Sequence, residues 1–148
     1  MLELEELLVP VDLSPTSHAT FAKALAMVGG ERPVVVLQYV IDASLARSIA
    51  AQGYEAEDAV AARMRSRAEA ALSAMAASAP DNVEVQVLVS EGTPFYEILR
   101  VAEELAVDAV VIGKQGIREH PESAFFGATA ERVVRGCSRP VIVLPEEA

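Results

Sequence analysis

The chain has 148 residues, enough for one domain with a full core, and its 52% hydrophobic and 23% charged content are those of a folded protein. Its formal net charge is −10 with no basic stripe to interrupt it, so nucleic acid and anionic membrane are not expected as partners. A single cysteine, Cys137, leaves no internal disulfide and no thiolate metal cluster, and it reads as a small core residue.

No apolar run approaches the roughly 18 residues that a membrane span needs. The acidic stretch Met1 to Glu6 has the wrong sign for a signal peptide, and a cytoplasmic location is expected.

The first apolar run, Leu7 to Val11, reads as a strand that closes on Asp12. Pro10 inside it lacks a backbone donor, and a distorted strand end beside a ligand is one way to accommodate that. Ser14-Pro15 places an N-cap before proline at the first helical position, Phe21, Leu25 and Val28 share one helix face, and Gly29-Gly30 supplies the stop. His18 falls one turn before Phe21 and reads as a packed or partly exposed helix residue.

The second run, Val34 to Val40, is nearly continuous and reads as a strand covered on both faces. Ile41 to Tyr54 is the least regular segment, with room for a short helix around Leu45 to Ala51. A long helix follows from about Glu57 to Ala79, with Val60, Met64, Ala68, Ala71 and Met75 as its apolar stripe and Glu57 and Asp58 at its positive end. In the third strand Val83, Val85, Val87 and Val89 alternate with Glu84, Gln86 and Leu88, which predicts a half-exposed edge. Gly92-Thr93-Pro94 then starts a helix whose Ile98, Leu99, Ala102 and Leu105 are expected to face the sheet. Ala109 to Ile112 is wholly apolar and must be central, a helix runs from about Thr129 to Gly136, and Val141 to Leu144 forms the fifth strand.

Strict alternation of strand and helix predicts α/β architecture: one doubly wound, Rossmann-like domain over residues 1–148. A five-stranded parallel sheet of order 3-2-1-4-5, with helices on both faces, accommodates the pattern. Ligands of such sheets bind beyond the carboxyl ends of the strands where the order reverses, which here means Asp12 and Gly113.

A glycine at a strand end lets a bound group approach the backbone, and the next helix N-terminus offers unpaired N–H groups to an anion. Gly113, Gly116 and Gly127 fit that design, although an ordinary turn followed by a helix start accounts for the same glycines. Lys114, Arg118 and His120 lie close enough in sequence to meet a phosphate, and solvent-exposed loop positions suit them equally. Asp12 offers a carboxylate to an amino or hydroxyl group, or else caps the turn before Ser14. It does not mark a phospho-acceptor receiver domain, because the acidic partner, second aspartate and lysine of that fold fall on Leu13, Ser90-Glu91 and Pro145-Glu146. There is no P-loop sequence, no metal-ligand cluster and no paired base and nucleophile, so a binder is expected rather than an enzyme.

The chain resembles the universal stress proteins over essentially its whole length. The likeness is carried by Leu8-Val9-Pro10-Val11-Asp12-Leu13-Ser14-Pro15, by Glu97 to Ala106, and by Arg139-Pro140-Val141-Ile142-Val143-Leu144-Pro145. The family's ATP-binding branch has Gly, two residues, Gly, nine residues, Gly, then Ser or Thr; Gly113 and Gly116 match the first pair. Ten residues, Ile117 to Phe126, precede Gly127, and Ala128 stands at the hydroxyl position with Thr129 one place late. The resemblance implies Pro10, Val11 and Asp12 beside the adenine or ribose, backbone groups of Val40 at the base, and Gly113, Gly116, Gly127, Ala128 and Thr129 around the phosphates. The implied ligand is ATP or a related adenine nucleotide, with or without Mg2+, and at most slow hydrolysis. The alternative is a dimeric interaction protein of the same family that has lost nucleotide binding. The resemblance also implies a homodimer paired through Val141, Ile142, Val143 and Leu144, a short uncharged run suited to an open edge.

Overall fold

Leu7, Leu8 and Val9 are completely buried, and a strand apolar on both faces belongs in the middle of a sheet. In the computed structural model, which describes residues 3–53, 55–114 and 128–145, these residues form the central strand β1 (Glu6–Pro10). Around it follow α1 (Pro15–Met27), β2 (Val34–Asp42), α2 (Ala43–Ala50), α3 (Glu57–Ala76), β3 (Glu84–Gly92), α4 (Pro94–Leu105), β4 (Ala109–Gly113), α5 (Ala128–Gly136) and β5 (Val141–Leu144). The five strands make one parallel sheet in the order β3-β2-β1-β4-β5, as the alternation of elements predicts.

Side-chain alternation divides the core into two layers. On one face Leu7, Val9, Val35, Leu37 and Val111 pack with Phe21 and Ala24 of α1 and Leu72 and Met75 of α3. On the other, Leu8, Val36, Val110 and Ile112 pack with Ile98, Val101 and Ala102 of α4 and Ala130 and Val133 of α5. Cys137 is half-buried against this second layer. Gln38 is fully buried below α4, where its amide donates to Glu97 O at 3.3 Å and to the Ser90 hydroxyl at 3.4 Å.

Several boundaries and faces depart from the sequence pattern. β2 runs to Asp42 and β3 to Gly92, because the two strands stay in register over nine pairs from Val34↔Glu84 to Asp42↔Gly92. Asp42 then caps the short helix directly, accepting from Ser44 N at 2.9 Å and Leu45 N at 3.3 Å, so α2 begins at Ala43. In α3 the buried stripe is Val60, Ala61, Ala68, Leu72 and Met75, turned towards Leu72 and away from Ala71 and Met64. In α4, Val101 takes the buried place expected of Leu105, which is exposed beside the left-handed C-cap Ala106.

Acidic groups gather where β1 and β4 begin. Asp108 Oδ2 accepts from the Glu5 and Glu6 amides at 3.0 and 2.8 Å, and Glu5 closes the turn after α1 by accepting from Glu31 N at 2.9 Å. Gly30 takes φ +88° at that turn, and a Cβ there would collide with the Glu5 carboxylate.

Burial raises the Glu6 carboxyl above its ordinary value of 4.5, and the charges of Asp108 and Glu84 raise it further. The native state therefore holds this proton more tightly than the unfolded chain, and stability falls as pH rises through the window above 4.5. Glu6→Gln is expected to raise the melting temperature at pH 7, with the gain shrinking on acidification and vanishing below 4.5. A thermal melt series across that range checks it; a lower melting temperature at pH 7 would contradict the account.

Candidate functional site

β1 does not lose its two neighbours at the same level. Its ladder with β2 runs through Pro10↔Gln38 and on to the bond from Val11 N to Gln38 O at 2.8 Å. Its ladder with β4 ends at Leu8↔Val110, although β4 itself continues to Gly113. Odd-numbered backbone groups of β1 face β2 and even-numbered ones face β4, as Val34 N to Glu5 O and Asp108 N to Glu6 O show. The missing donor of Pro10 therefore falls on the β4 side, at the level where that ladder ends. The strand end is regular towards β2, and the pairing with β4 ends where continuing it would need the donor that Pro10 lacks.

The strand order reverses between β1 and β4, and doubly wound sheets bind ligands beyond the carboxyl ends of the strands at that point. Continuing the two registers brings the expected residues to one rim: Asp12 falls opposite Val40, and Val11 falls level with Gly113. Gly113 is half-buried and remains paired with Leu144, and Lys114 N donates to Leu144 O at 2.8 Å. Ala128 is exposed at the first turn of α5, and Thr129 behind it is half-buried. Gly116 and Gly127, like Arg118 and His120, lie outside the described residues. His18 is exposed on α1.

Asp12 shapes the rim. Its Oδ1 accepts from Ser14 N at 3.0 Å and from the Ser17 hydroxyl at 3.1 Å, closing an Asx turn over the start of α1. The Ser14 side chain turns to the Thr16 hydroxyl at 2.8 Å, so the carboxylate does the capping work that sequence assigned to Ser14. Between them, Leu13 takes φ +65°, a left-handed conformation that costs a branched residue on the order of 1 kcal/mol. No sequence signal announced this, since leucine does not favour that region; only the Asp-x-Ser spacing hinted at a turn. The chain is bent sharply at the rim, which aims α1 back over the sheet and leaves the β1–α1 loop beside the strand-order reversal.

Electrostatically the rim is built from backbone. Helices α1 and α5 follow β1 and β4 in the chain, and the N-terminus of a helix is the positive end of its dipole. That arrangement can hold an anion despite the acidic surface, and the Asp12 carboxylate beside it can accept from a polar group. Among the described residues no group of three or more His, Cys, Asp or Glu side chains is placed to hold a metal. Among them, too, no helix is long and apolar enough to cross a membrane.

The fold defines a doubly wound parallel α/β protein whose strand order reverses between β1 and β4. Residues 3–145 match the model of the universal stress protein family, and the chain belongs to that family. It is 26% identical over 141 residues to the universal stress protein MJ0531 of Methanocaldococcus jannaschii, covering 95% of this chain and 81% of that one. The solved structure of the protein MJ0577 shares the fold at a TM-score of 0.86, with 23% identity and 98% of each chain covered. A universal stress protein from Archaeoglobus fulgidus, solved in complex with dAMP, superposes at a TM-score of 0.59 with 22% identity, covering 97% of this chain and 98% of that one.

Removing the Asp12 carboxylate should loosen the entry to α1. Asp12→Ala is expected to cost about 1 kcal/mol in urea unfolding, and Asp12→Asn, which keeps an acceptor, less than half of that. Equal stability of Asp12→Ala and the natural chain would show that the Asx turn contributes nothing.

Proposed function

We propose that this chain binds an adenine nucleotide, ATP or a close relative, in the crevice between β1 and β4, and that it does so as a regulatory binder rather than a catalyst. The observation that carries the reading is the reversal of strand order between β1 and β4, beyond whose carboxyl ends the chain continues into Asp12 and Gly113. The dAMP complex of a family member supports the adenine class. Gly113 and Gly116 supply the first half of the phosphate motif, and Gly127 with Ala128 and Thr129 the second. The place of Ala128 where the motif has a hydroxyl removes one hydrogen bond, while the backbone N–H groups that dominate such sites are indifferent to that change.

Titration calorimetry with Mg-ATP and with AMP tests the reading. Heat saturating at micromolar to high-micromolar ligand is expected, and Gly127→Val should abolish it while leaving the melting temperature of the ligand-free protein within about 1 °C. A folded protein that gives no heat with either nucleotide would favour the second reading, an interaction protein of the same family without a nucleotide. That second reading draws on the extra residue between Gly116 and Gly127 and on Ala128.

The assembly expected is a homodimer through β5. Pro140 O and Leu144 O accept from Val110 N and Lys114 N, both at 2.8 Å, so the backbone groups of Val141 and Val143 face away from β4. They form a short apolar edge suited to antiparallel pairing across a two-fold axis. Light scattering after size exclusion should give a dimer at micromolar concentration, and Val143→Pro, which removes only an outward donor, a monomer. A monomeric natural chain, or a Val143→Pro variant that stays dimeric, would rule out this interface.

A further inference from the structure

The sheet has a second edge, and it is longer than the first. β3 has nine residues and is covered on one side only, by β2. Glu84 N donates to Pro33 O at 2.9 Å, so even-numbered backbone groups of β3 face β2 and those of Val85, Val87, Val89 and Glu91 face outward. The outward row is apolar in its middle, with Val87 36% exposed, and such a strand is a template for pairing with another chain. Antiparallel self-pairing about Val87 would set Val85 against Val89 of a second copy and Val87 against itself, a good match of β-branched side chains. The same register sets Glu84 opposite Ser90 and Glu91 opposite Val83 of the other copy, so no like charges meet across the pair.

One side chain interrupts the row. Arg65 of α3 reaches over the edge, and its guanidinium donates to Val89 O at 2.9 Å. Val89 O is one of the outward carbonyls that a strand added at this edge would have to use. Arg65 lines a cleft with Glu57, Asp58, Ala61, Ala62 and Glu91, and its guanidinium also lies 3.9 Å from the Glu69 carboxylate one turn along α3. A bond from a charged donor is worth more than a neutral one, and here it occupies an acceptor that the sheet itself cannot satisfy.

We propose that Arg65 closes the outer edge of β3 against strand addition by a second copy of this chain, confining self-association to the other side of the sheet. The bond to Val89 O is the closing device. The surface thus has a defined partner, another β3 in antiparallel register, and a single residue that excludes it.

Arg65→Met keeps most of the aliphatic stem and removes the donor. Sedimentation velocity at about 0.5 M salt, where the Debye length is a few ångströms and the net charge of −10 on each copy no longer repels at range, should show the variant roughly doubling its weight-average mass over the natural chain as concentration rises. Adding Val87→Pro should return it to the natural size, since residue 87 donates outward and the β2 ladder is untouched; Val87→Lys does the same where the proline disturbs the strand. The comparison is with the natural chain, so it holds whether that chain is a monomer or a β5 dimer. An Arg65→Met variant with natural far-ultraviolet circular dichroism and unchanged mass at every concentration would overturn the proposal. So would growth that both Val87 variants leave in place, which locates association elsewhere.

Discussion

β1 keeps β2 to its last residue and gives up β4 after Leu8, and the rest of the molecule is arranged around that inequality. A parallel sheet twists, and strands on either side of a reversal carry their connecting helices to opposite faces. α1 leaves β1 for the face it shares with α3, while α4 and α5 cover the other. The apolar core makes the β1–β4 junction rigid: Leu7, Leu8, Val9, Val110 and Val111 are all buried on its flanks.

The rim above the junction is acidic in overall field and cationic in detail. A net charge of −10 would repel a phosphate at a distance, yet helix N-termini act over a few ångströms, where fixed N–H groups outweigh the average field. Asp12 contributes to this by structure before chemistry. It holds Ser14 N and the Ser17 hydroxyl, fixes where α1 begins, and forces Leu13 into a left-handed bend. Strain of this kind persists when surrounding bonds over-determine it, and it concentrates where a loop must present a defined surface.

Much of this was legible in the sequence, because each feature has a local signature. The Val83 to Val89 alternation marked β3 as an edge, the continuous run Val34 to Val40 marked β2 as buried, and Ser14-Pro15 located the start of α1. Features set by tertiary contact were not legible. The choice of Val101 over Leu105 depends on where α4 ends against β4, and that of Leu72 over Ala71 on the roll of α3 over the sheet. Pro10 read as a distortion because a sequence does not say which neighbour a backbone donor faces; with its missing donor on the β4 side, no distortion towards β2 is needed. The same parity, invisible in sequence, distinguishes Val143 and Val87 as outward positions and gives Arg65 its meaning.

The two edges are treated differently by the fold. β5 presents Val141 and Val143 in a short apolar row, whereas β3 is longer, flanked by glutamates and crossed by Arg65. The central claim, however, concerns the crevice, and hydrogen–deuterium exchange with and without saturating AMP tests it most directly. The account predicts slowed exchange at Val11 to Ser14, at Val40 to Asp42, at Gly113-Lys114 and over the first turn of α5. Protection confined to other surfaces, such as the α3–β3 edge, would contradict it.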